Sequence, residues 1–289
     1  MYSNIAANKR KTWLIMAVFI AIIGILGWVL GSLLHSVNFI YFALLGAAMY
    51  ALIEYFMAAK LALAMNGARE IQKSDNPRLF RIVENLAITM GLPTPKIYII
   101  NDPAPNAFAT GRDPQRAIVC VTAGLLNIMT DTELEGVIAH ELGHVQNFDI
   151  RVMLIVFGLV SAITIIADTI MRVLWWDDDE RNSPIMLVIG LVAAILAPFA
   201  ALLVQLAVSR RREYLADSTG ALTTRYPEGL ASALEKIRDH GSAMKRQNTA
   251  TAHLFFANPL KANAITKFFS THPPIDDRIR RLREMGTHA

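Results

Sequence analysis

The chain has 289 residues, of which 54% are hydrophobic and 18% charged, and its mean hydropathy is +0.37. This composition excludes an ordinary soluble domain, because part of so apolar a chain must lie in lipid. The net charge of +4 does not indicate nucleic-acid binding, since the basic residues flank apolar segments instead of forming one broad stripe. One cysteine excludes an internal disulfide framework, and its apolar neighbours indicate that Cys120 is a buried strand residue and not a nucleophile.

Two apolar segments follow each other at the N-terminus. Residues 12–34 carry no charge and are numerous enough to cross a bilayer of about 30 Å, and a second apolar segment covers residues 39–59. The short polar break between them predicts a retained membrane hairpin over residues 1–65, not a cleaved signal peptide. Glu54 lies near the end of the second segment, where we expect a solvated carboxylate at the membrane interface.

A polar segment, residues 66–151, then shows the start and stop patterns of a folded domain. The pair Asn76-Pro77 is a typical helix start, and the apolar spacing that follows predicts a helix up to Met90. Thr130 and Glu133 form a capping-box pattern that predicts the start of a further helix. Three short extended segments predict a small sheet: residues 96–100, 106–110 and 117–121.

Two more apolar segments, residues 153–175 and 185–208, predict a second membrane hairpin over residues 152–208. No stop pattern separates the helix that begins after Thr130 from the third apolar segment, so the sequence predicts that one helix runs directly into the membrane. Residues 209–289 form the second part of the polar domain, with a weakly patterned, mobile stretch at 241–264. Basic residues cluster on one side of the four spans, which predicts that both termini and the polar domain are cytoplasmic.

The pentapeptide at residues 140–144 has the pattern H-E-x-x-H. On a helix, two imidazoles four residues apart lie on one face and can share a metal ion, with Glu141 beside them. This is the signature of a metal-dependent hydrolase. A catalytic zinc usually takes three protein ligands and leaves a position for water, so a third ligand is needed.

The third ligand does not come from the extended histidine pattern of one subclass, because Asn147 and Ile150 occupy the positions of its glycine and histidine. Glu213 and Asp217, four residues apart just after the fourth apolar segment, offer an alternative. Glu213 would bind the metal, and Asp217 would orient a ligand imidazole. The competing interpretation is a solvated acidic pair on a basic surface.

Together these motifs give the chain a resemblance to HtpX-type bacterial membrane-integrated zinc metalloproteases, relatives of the CAAX prenyl endopeptidases. The resemblance covers nearly the whole chain, including both hairpins and the motifs at 105–109, 124–126, 140–144, 213–217 and 272–274. It implies a mainly α integral membrane protein of the bacterial inner membrane. Four transmembrane helices would carry a cytoplasmic α+β protease domain of the zincin type, in its gluzincin subclass.

The resemblance also implies roles for the site residues. One zinc ion would be held by His140, His144 and Glu213. Glu141, which is not a ligand, would accept the proton of the attacking water. Asn106 and Arg278 would contact the substrate or lie near the reaction centre, and His272 would stabilise negative charge that develops on the substrate. Without the resemblance, His272 is better interpreted as a turn residue before two prolines.

The implied function is an endopeptidase that removes misfolded or damaged membrane proteins at the cytoplasmic face. Its partners would be protein or peptide substrates and the lipid bilayer, with no nucleic acid. A dedicated processing protease for one peptide, such as a lipidated one, shares the same site. A non-catalytic membrane scaffold or chaperone is a third alternative, against which the intact motif residues count.

Overall fold

The computed structural model describes residues 2–33, 38–176, 209–248, 250–260 and 273–286. Within them the helices are α1 (Tyr2–Leu33), α2 (Asn38–Met65), α3 (Pro77–Thr89), α4 (Ala123–Ile128), α5 (Asp131–Gln146), α6 (Asp149–Trp176), α7 (Arg210–Thr224), α8 (Pro227–His240) and α9 (Ile275–Gly286). The strands are β1 (Ala68–Glu70), β2 (Lys96–Ile100), β3 (Ala107–Thr110) and β4 (Ile118–Thr122). Short 3-10 turns occupy Pro114–Arg116 and Ala252–Leu254.

The four strands form one mixed sheet in the order β1-β2-β4-β3. β2 and β4 are parallel, and β1 and β3 pair antiparallel on the outer sides, with Phe108 of β3 opposite Cys120 of β4. The three predicted extended segments are therefore strands, and Cys120 is buried as expected. β1 was not predicted, because its sequence Ala-Arg-Glu lacks the β-branched and aromatic residues that favour strands.

Helices α1, α2 and α6 pack against one another beside the sheet. Among the described residues, two helical spans are long and apolar enough to cross a membrane, Ile5–Trp28 with a mean hydropathy of 2.0 and Ile40–Met65 with 1.6. Large apolar side chains of both helices are exposed, among them Trp13 at 61% and Phe42 at 73%. Such a surface is suited to lipid contact.

The predicted passage of one continuous helix from residue 131 into the third apolar segment is wrong. The chain breaks after Gln146, and the helices on either side, Asp131–Gln146 and Asp149–Thr164, meet at 81°. The side-chain amide of Asn147 donates to the carbonyl oxygen of Gly143 (3.1 Å), and Phe148 takes a left-handed conformation with φ of 61°. α6 then covers the third apolar segment, while the predicted fourth span at 185–208 lies outside the described residues.

Glu54 is not a solvated interfacial carboxylate as expected. Only 5% of it is exposed, and neither carboxylate oxygen has a hydrogen-bond partner among the described residues. It packs against Gly158 of α6, whose carbonyl oxygen accepts a hydrogen bond from the Tyr50 hydroxyl (2.8 Å). Close packing of α2 on α6 therefore overrides the preference of this carboxylate for water.

Helix α5 lies at the centre of the polar domain, packed between β3, α3, α7 and α8. The described parts of the stretch predicted to be mobile are residues 241–248 and 250–260, and residues 250–256 are buried. Phe255 and Phe256 are buried, and the Phe255 ring lies edge-on to Phe108 with centroids 4.9 Å apart. This segment thus lies against the start of strand β3, where Phe256 N donates to Ala107 O.

Candidate metal centre

The helix that carries the H-E-x-x-H pattern begins as predicted. The Thr130 side chain caps Glu133 N, and the Glu133 carboxylate accepts a hydrogen bond from Thr130 N (2.7 Å). The side chains of three α5 residues, His140, Glu141 and His144, lie in the domain interior, and each is 5% exposed or less.

Helix α7 supplies the opposite wall of the site, because Glu213 lies in its first turn and is only 3% exposed. α7 approaches α5 closely at Gly220, where an added Cβ would lie 3.2 Å from the backbone nitrogen of His140. The absence of a side chain at Gly220 therefore allows the two helices to bring their functional residues together.

The side chains of His140, His144 and Glu213 meet at one point. The two Nε2 atoms are 3.2 Å apart, His144 Nε2 lies 3.5 Å from Glu213 Oε1, and His140 Nε2 lies 3.9 Å from Glu213 Oε2. Tetrahedral zinc ligands at about 2.0–2.2 Å from the ion are separated by roughly 3.3–3.6 Å. The spacing of the three groups is therefore close to what one ion requires.

Each imidazole is oriented by a carboxylate at its other nitrogen. His140 Nδ1 donates to Asp217 Oδ1 (2.9 Å), and His144 Nδ1 donates to Asp149 Oδ2 (3.0 Å). A carboxylate can only accept, so both Nδ1 atoms carry hydrogen and both Nε2 atoms are left as donors of electron pairs to a cation. Two such lone pairs and a carboxylate facing one another in a buried place fit a bound metal ion.

Asp149 was not found by sequence reasoning. It follows the break after Gln146, and a continuous helix would have placed it on a different face from His144, five residues earlier. Its Oδ1 also accepts a hydrogen bond from the Asn8 amide (2.8 Å) and lies 3.4 Å from Arg212 Nη1. Asp149 thus connects the site to the start of α1 through its hydrogen bond with Asn8.

The two imidazoles have different pKa values in the metal-free protein. Burial lowers the pKa of His140 to about 4, so this ring is neutral at pH 7. Burial also acts to lower the pKa of His144, but the hydrogen bond to Asp149 and the charge of Glu213 outweigh it and raise the pKa to about 9. A proton on His144 Nε2 would lie among the three groups, where a metal ion would replace it.

Asp217 and Arg278 form a buried pair behind His140. Arg278 Nε donates to Asp217 Oδ2 (2.9 Å) and Nη2 donates to Oδ1 (2.7 Å), while Nη1 lies 4.0 Å from Glu213 Oε2. Although burial raises the pKa of Asp217, the charge of Arg278 and the hydrogen bonds lower it to about 2. Asp217 therefore stays ionised, and the guanidinium is directed at the carboxylates of the site.

Glu141 is not one of the three convergent groups. Its Oε2 accepts a hydrogen bond from the backbone nitrogen of Ala109 in strand β3 (2.8 Å). In β3 the backbone groups of Phe108 pair with β4, so those of Ala107 and Ala109 face the free edge. The outer edge of the sheet therefore runs beside Glu141.

Asn106, the predicted substrate contact, is 3% exposed and binds another part of this chain. Its amide donates to Ala257 O (2.8 Å) and its Oδ1 accepts from Ala257 N (3.0 Å), while Phe256 N donates to Ala107 O (2.8 Å). The Phe256 ring lies edge-on to His140 at 4.9 Å. Sequence reasoning missed this contact. His272 lies outside the described residues.

Comparison with known proteins agrees with this geometry. Residues 73–286 match the model of peptidase family M48. The chain belongs to peptidase family M48. This M48 peptidase is 57% identical over 288 residues to a protein named "Protease HtpX homolog" from Tropheryma whipplei (strain Twist), covering 99% of both chains.

Other relatives bear the same name. A Dictyoglomus turgidum protein is 45% identical, covering 99% of this M48 chain and 95% of its own, and one from Streptococcus gordonii is 40% identical, covering 99% and 100%. The crystal structure of S. mikatae Ste24p has a TM-score of 0.50 at 19% identity, covering 98% of this chain and 67% of that one, and shows a shared fold.

These matches confirm the resemblance drawn from the sequence. The M48 chain is a mostly helical, membrane-bound metallopeptidase, a hydrolase of peptide bonds whose family depends on a metal. Protein or peptide substrates and a lipid bilayer follow as its partners.

Proposed function

We propose that this M48 peptidase binds one zinc ion through His140, His144 and Glu213. The observation that carries the proposal is the convergence of the two Nε2 atoms and the Glu213 carboxylate, with both Nδ1 atoms held by Asp217 and Asp149. Two imidazoles and one carboxylate are a donor set that catalytic zinc uses in proteins. When bound, zinc supplies Lewis acidity, which lowers the pKa of a water molecule towards about 7.

The remaining steps belong to residues of the chain. Glu141 accepts the proton of the attacking water and delivers it to the leaving amine. It is held by Ala109 N at the sheet edge, so the carboxylate is fixed beside the position where an extended peptide could pair with β3. The buried Arg278 holds Asp217, which favours a positioning role for this arginine over the predicted substrate contact. His272 keeps its predicted role of stabilising charge on the substrate carbonyl oxygen.

A peptide that pairs with β3 must share the edge with the segment 255–257. Asn106 and Ala107 O are already bonded to that segment, whereas no hydrogen bond to Ala109 O is found among the described residues. Substrate can therefore begin to pair at Ala109, the residue next to Glu141.

Four membrane spans and a cytoplasmic active site in the bacterial inner membrane complete the proposal. The protease domain would consist of residues 66–151 and 209–289, with hairpins at 1–65 and 152–208. Support comes from the two described spans and from the basic residues that flank the apolar segments. Placement at the membrane surface suits misfolded or damaged membrane proteins as substrates, and the name HtpX of the relatives agrees with such a quality-control role.

The test begins with protein purified without zinc. Activity on casein should be absent, return on addition of one equivalent of zinc, and stay absent in the Glu141→Gln variant. Activity that survives this substitution would overturn the mechanism. A survey of substrates in liposomes then separates the alternatives: cleavage of one lipidated peptide alone would indicate a processing protease, and equal cleavage of soluble and membrane-inserted unfolded proteins would contradict a membrane preference.

A further inference from the structure

A cavity of about 450 Å³ lies away from the metal centre, between the last turns of α2 and the N-terminal ends of strands β2 and β4. Its lining includes four basic side chains, two aromatic rings of α2 and no acidic residue, and the basic residues are Lys60, Lys96, Arg112 and Arg116. We call it the basic interfacial pocket, and we propose that it binds the headgroup of an anionic phospholipid.

The depth of the pocket along α2 supports this assignment. The candidate span begins at Ile40, and Lys60 lies about 30 Å further along the helix, which is roughly the thickness of the hydrocarbon core. Leu52, Ile53 and Phe56 are more than half exposed on the turns before Lys60. The positive charges therefore begin in the last turns of the candidate span, which ends at Met65.

The position of Arg112 links the charged and apolar parts of the pocket. Its guanidinium lies 4.7 Å from the ring centroid of Phe56 and 5.7 Å from that of Tyr55, so it is held over the membrane helix by cation–π contacts. Arg151 Nε donates to the carbonyl oxygen of Arg112 (2.5 Å), which fixes the loop. A guanidinium held in this way presents a fork of donors suited to phosphate.

Acidic neighbours neutralise only part of the charge. Lys96 pairs with Glu70 (2.9 Å), and Asp113 pairs with Arg116 (2.9 Å) and lies 3.9 Å from Arg112. No described acidic side chain pairs with Lys60. About two positive charges thus remain for a ligand, enough for one phosphodiester with further attraction to an anionic membrane surface.

Both parts of a phospholipid fit this place. The phosphodiester would lie between Lys60 and Arg112, and the acyl chains would follow the exposed face at Leu52, Ile53 and Phe56. Free phosphate would use the charges alone, which gives an experiment that separates the two sources of the same anion.

The experiment titrates the full chain, purified in detergent, with phosphatidylglycerol or phosphatidylcholine and reads bound lipid by native mass spectrometry. The double variant Lys60→Gln/Arg112→Gln should bind phosphatidylglycerol roughly 10- to 30-fold more weakly than wild type, with no change for phosphatidylcholine. The matched control Lys73→Gln/Lys245→Gln removes two exposed lysines elsewhere and should bind as wild type does. Gln115→Glu, which adds a negative charge at the exposed rim, should also weaken binding and remains informative if the double variant fails to fold.

Three results would overturn the proposal. Equal binding of phosphatidylglycerol by the double variant, Gln115→Glu and the control would show that the pocket does not hold the headgroup. Inorganic phosphate that displaces the lipid at equal concentration would show an anion site without a lipid. An acidic peptide that displaces the lipid, at a concentration where a neutral peptide does not, would assign the pocket to a protein ligand.

Discussion

Replacement of Asp217 by asparagine tests how the metal centre is held. The carboxylate receives three donors, Nε and Nη2 of Arg278 and Nδ1 of His140, at 2.7 to 2.9 Å. Asparagine has nearly the same shape but one acceptor oxygen and no charge. At least one of these donors would lose its acceptor, and the guanidinium of Arg278 would lose its bidentate partner.

The burial of Asp217 determines the expected loss of stability and the expected loss of metal affinity. Both partners of the pair are 2% exposed or less, and removal of one partner of a buried ion pair costs about 3–5 kcal/mol of stability. Loss of a carboxylate that orients a metal-binding imidazole lowers metal affinity by about 10- to 100-fold. We therefore expect Asp217→Asn to destabilise the metal-free protein by about 3–5 kcal/mol and to weaken zinc binding by about 10- to 100-fold.

The matched control is Asp149→Asn, at the carboxylate of the other imidazole. Asp149 orients His144, and the contact of Arg212 Nη1 with its Oδ1, at 3.4 Å, is longer than the two Arg278 hydrogen bonds to Asp217 at 2.9 and 2.7 Å. Zinc affinity should fall by a similar factor, whereas stability should fall less. Chelator competition measures the affinity, and urea unfolding in detergent without metal measures the stability. Unchanged zinc affinity in both variants would refute the assigned role of these carboxylates.

Three further substitutions probe the ligands, the helix packing and the edge segment. Glu213→Gln should keep the fold but lose most of the zinc affinity in the same chelator assay, because an amide is a poor replacement for a charged ligand. Gly136→Ala should lower the stability by about 1–3 kcal/mol in thermal unfolding, because its Cβ would lie 2.7 Å from Leu230 N. The control Gly46→Ala should not lower the stability, because the space around Gly46 is open. Asn106→Ala should release the segment 255–257 and speed its cleavage in limited proteolysis, and an unchanged rate would contradict the role of the two hydrogen bonds.

Local patterns predicted the elements that carry the chemistry. The capping box predicted the start of α5, and the four-residue spacings of His140 with His144 and of Glu213 with Asp217 marked residues that the structure brings together. These patterns act within one or two helical turns, so the sequence alone displays them. The fold of a membrane-bound metallopeptidase was predicted from the resemblance to a known family that these motifs carry.

Features that depend on distant contacts could not be predicted in this way. Asn106 meets Ala257 across 151 positions in the chain, and no periodic pattern marks such a pair. Asp149 reaches His144 only because α5 ends at Gln146 and the chain turns at Phe148, whose left-handed conformation is rare for a bulky residue. The burial of Glu54 likewise depends on the small Gly158 in another helix.

The most direct test of the central claim is X-ray absorption at the zinc edge on the purified, zinc-loaded protein. We expect one zinc per chain with two imidazole nitrogens and oxygen ligands at about 2.0–2.2 Å, and the loss of one imidazole in His144→Ala. A spectrum that the His144→Ala and Glu213→Gln variants leave unchanged, or one with a sulfur ligand at about 2.3 Å, would contradict it.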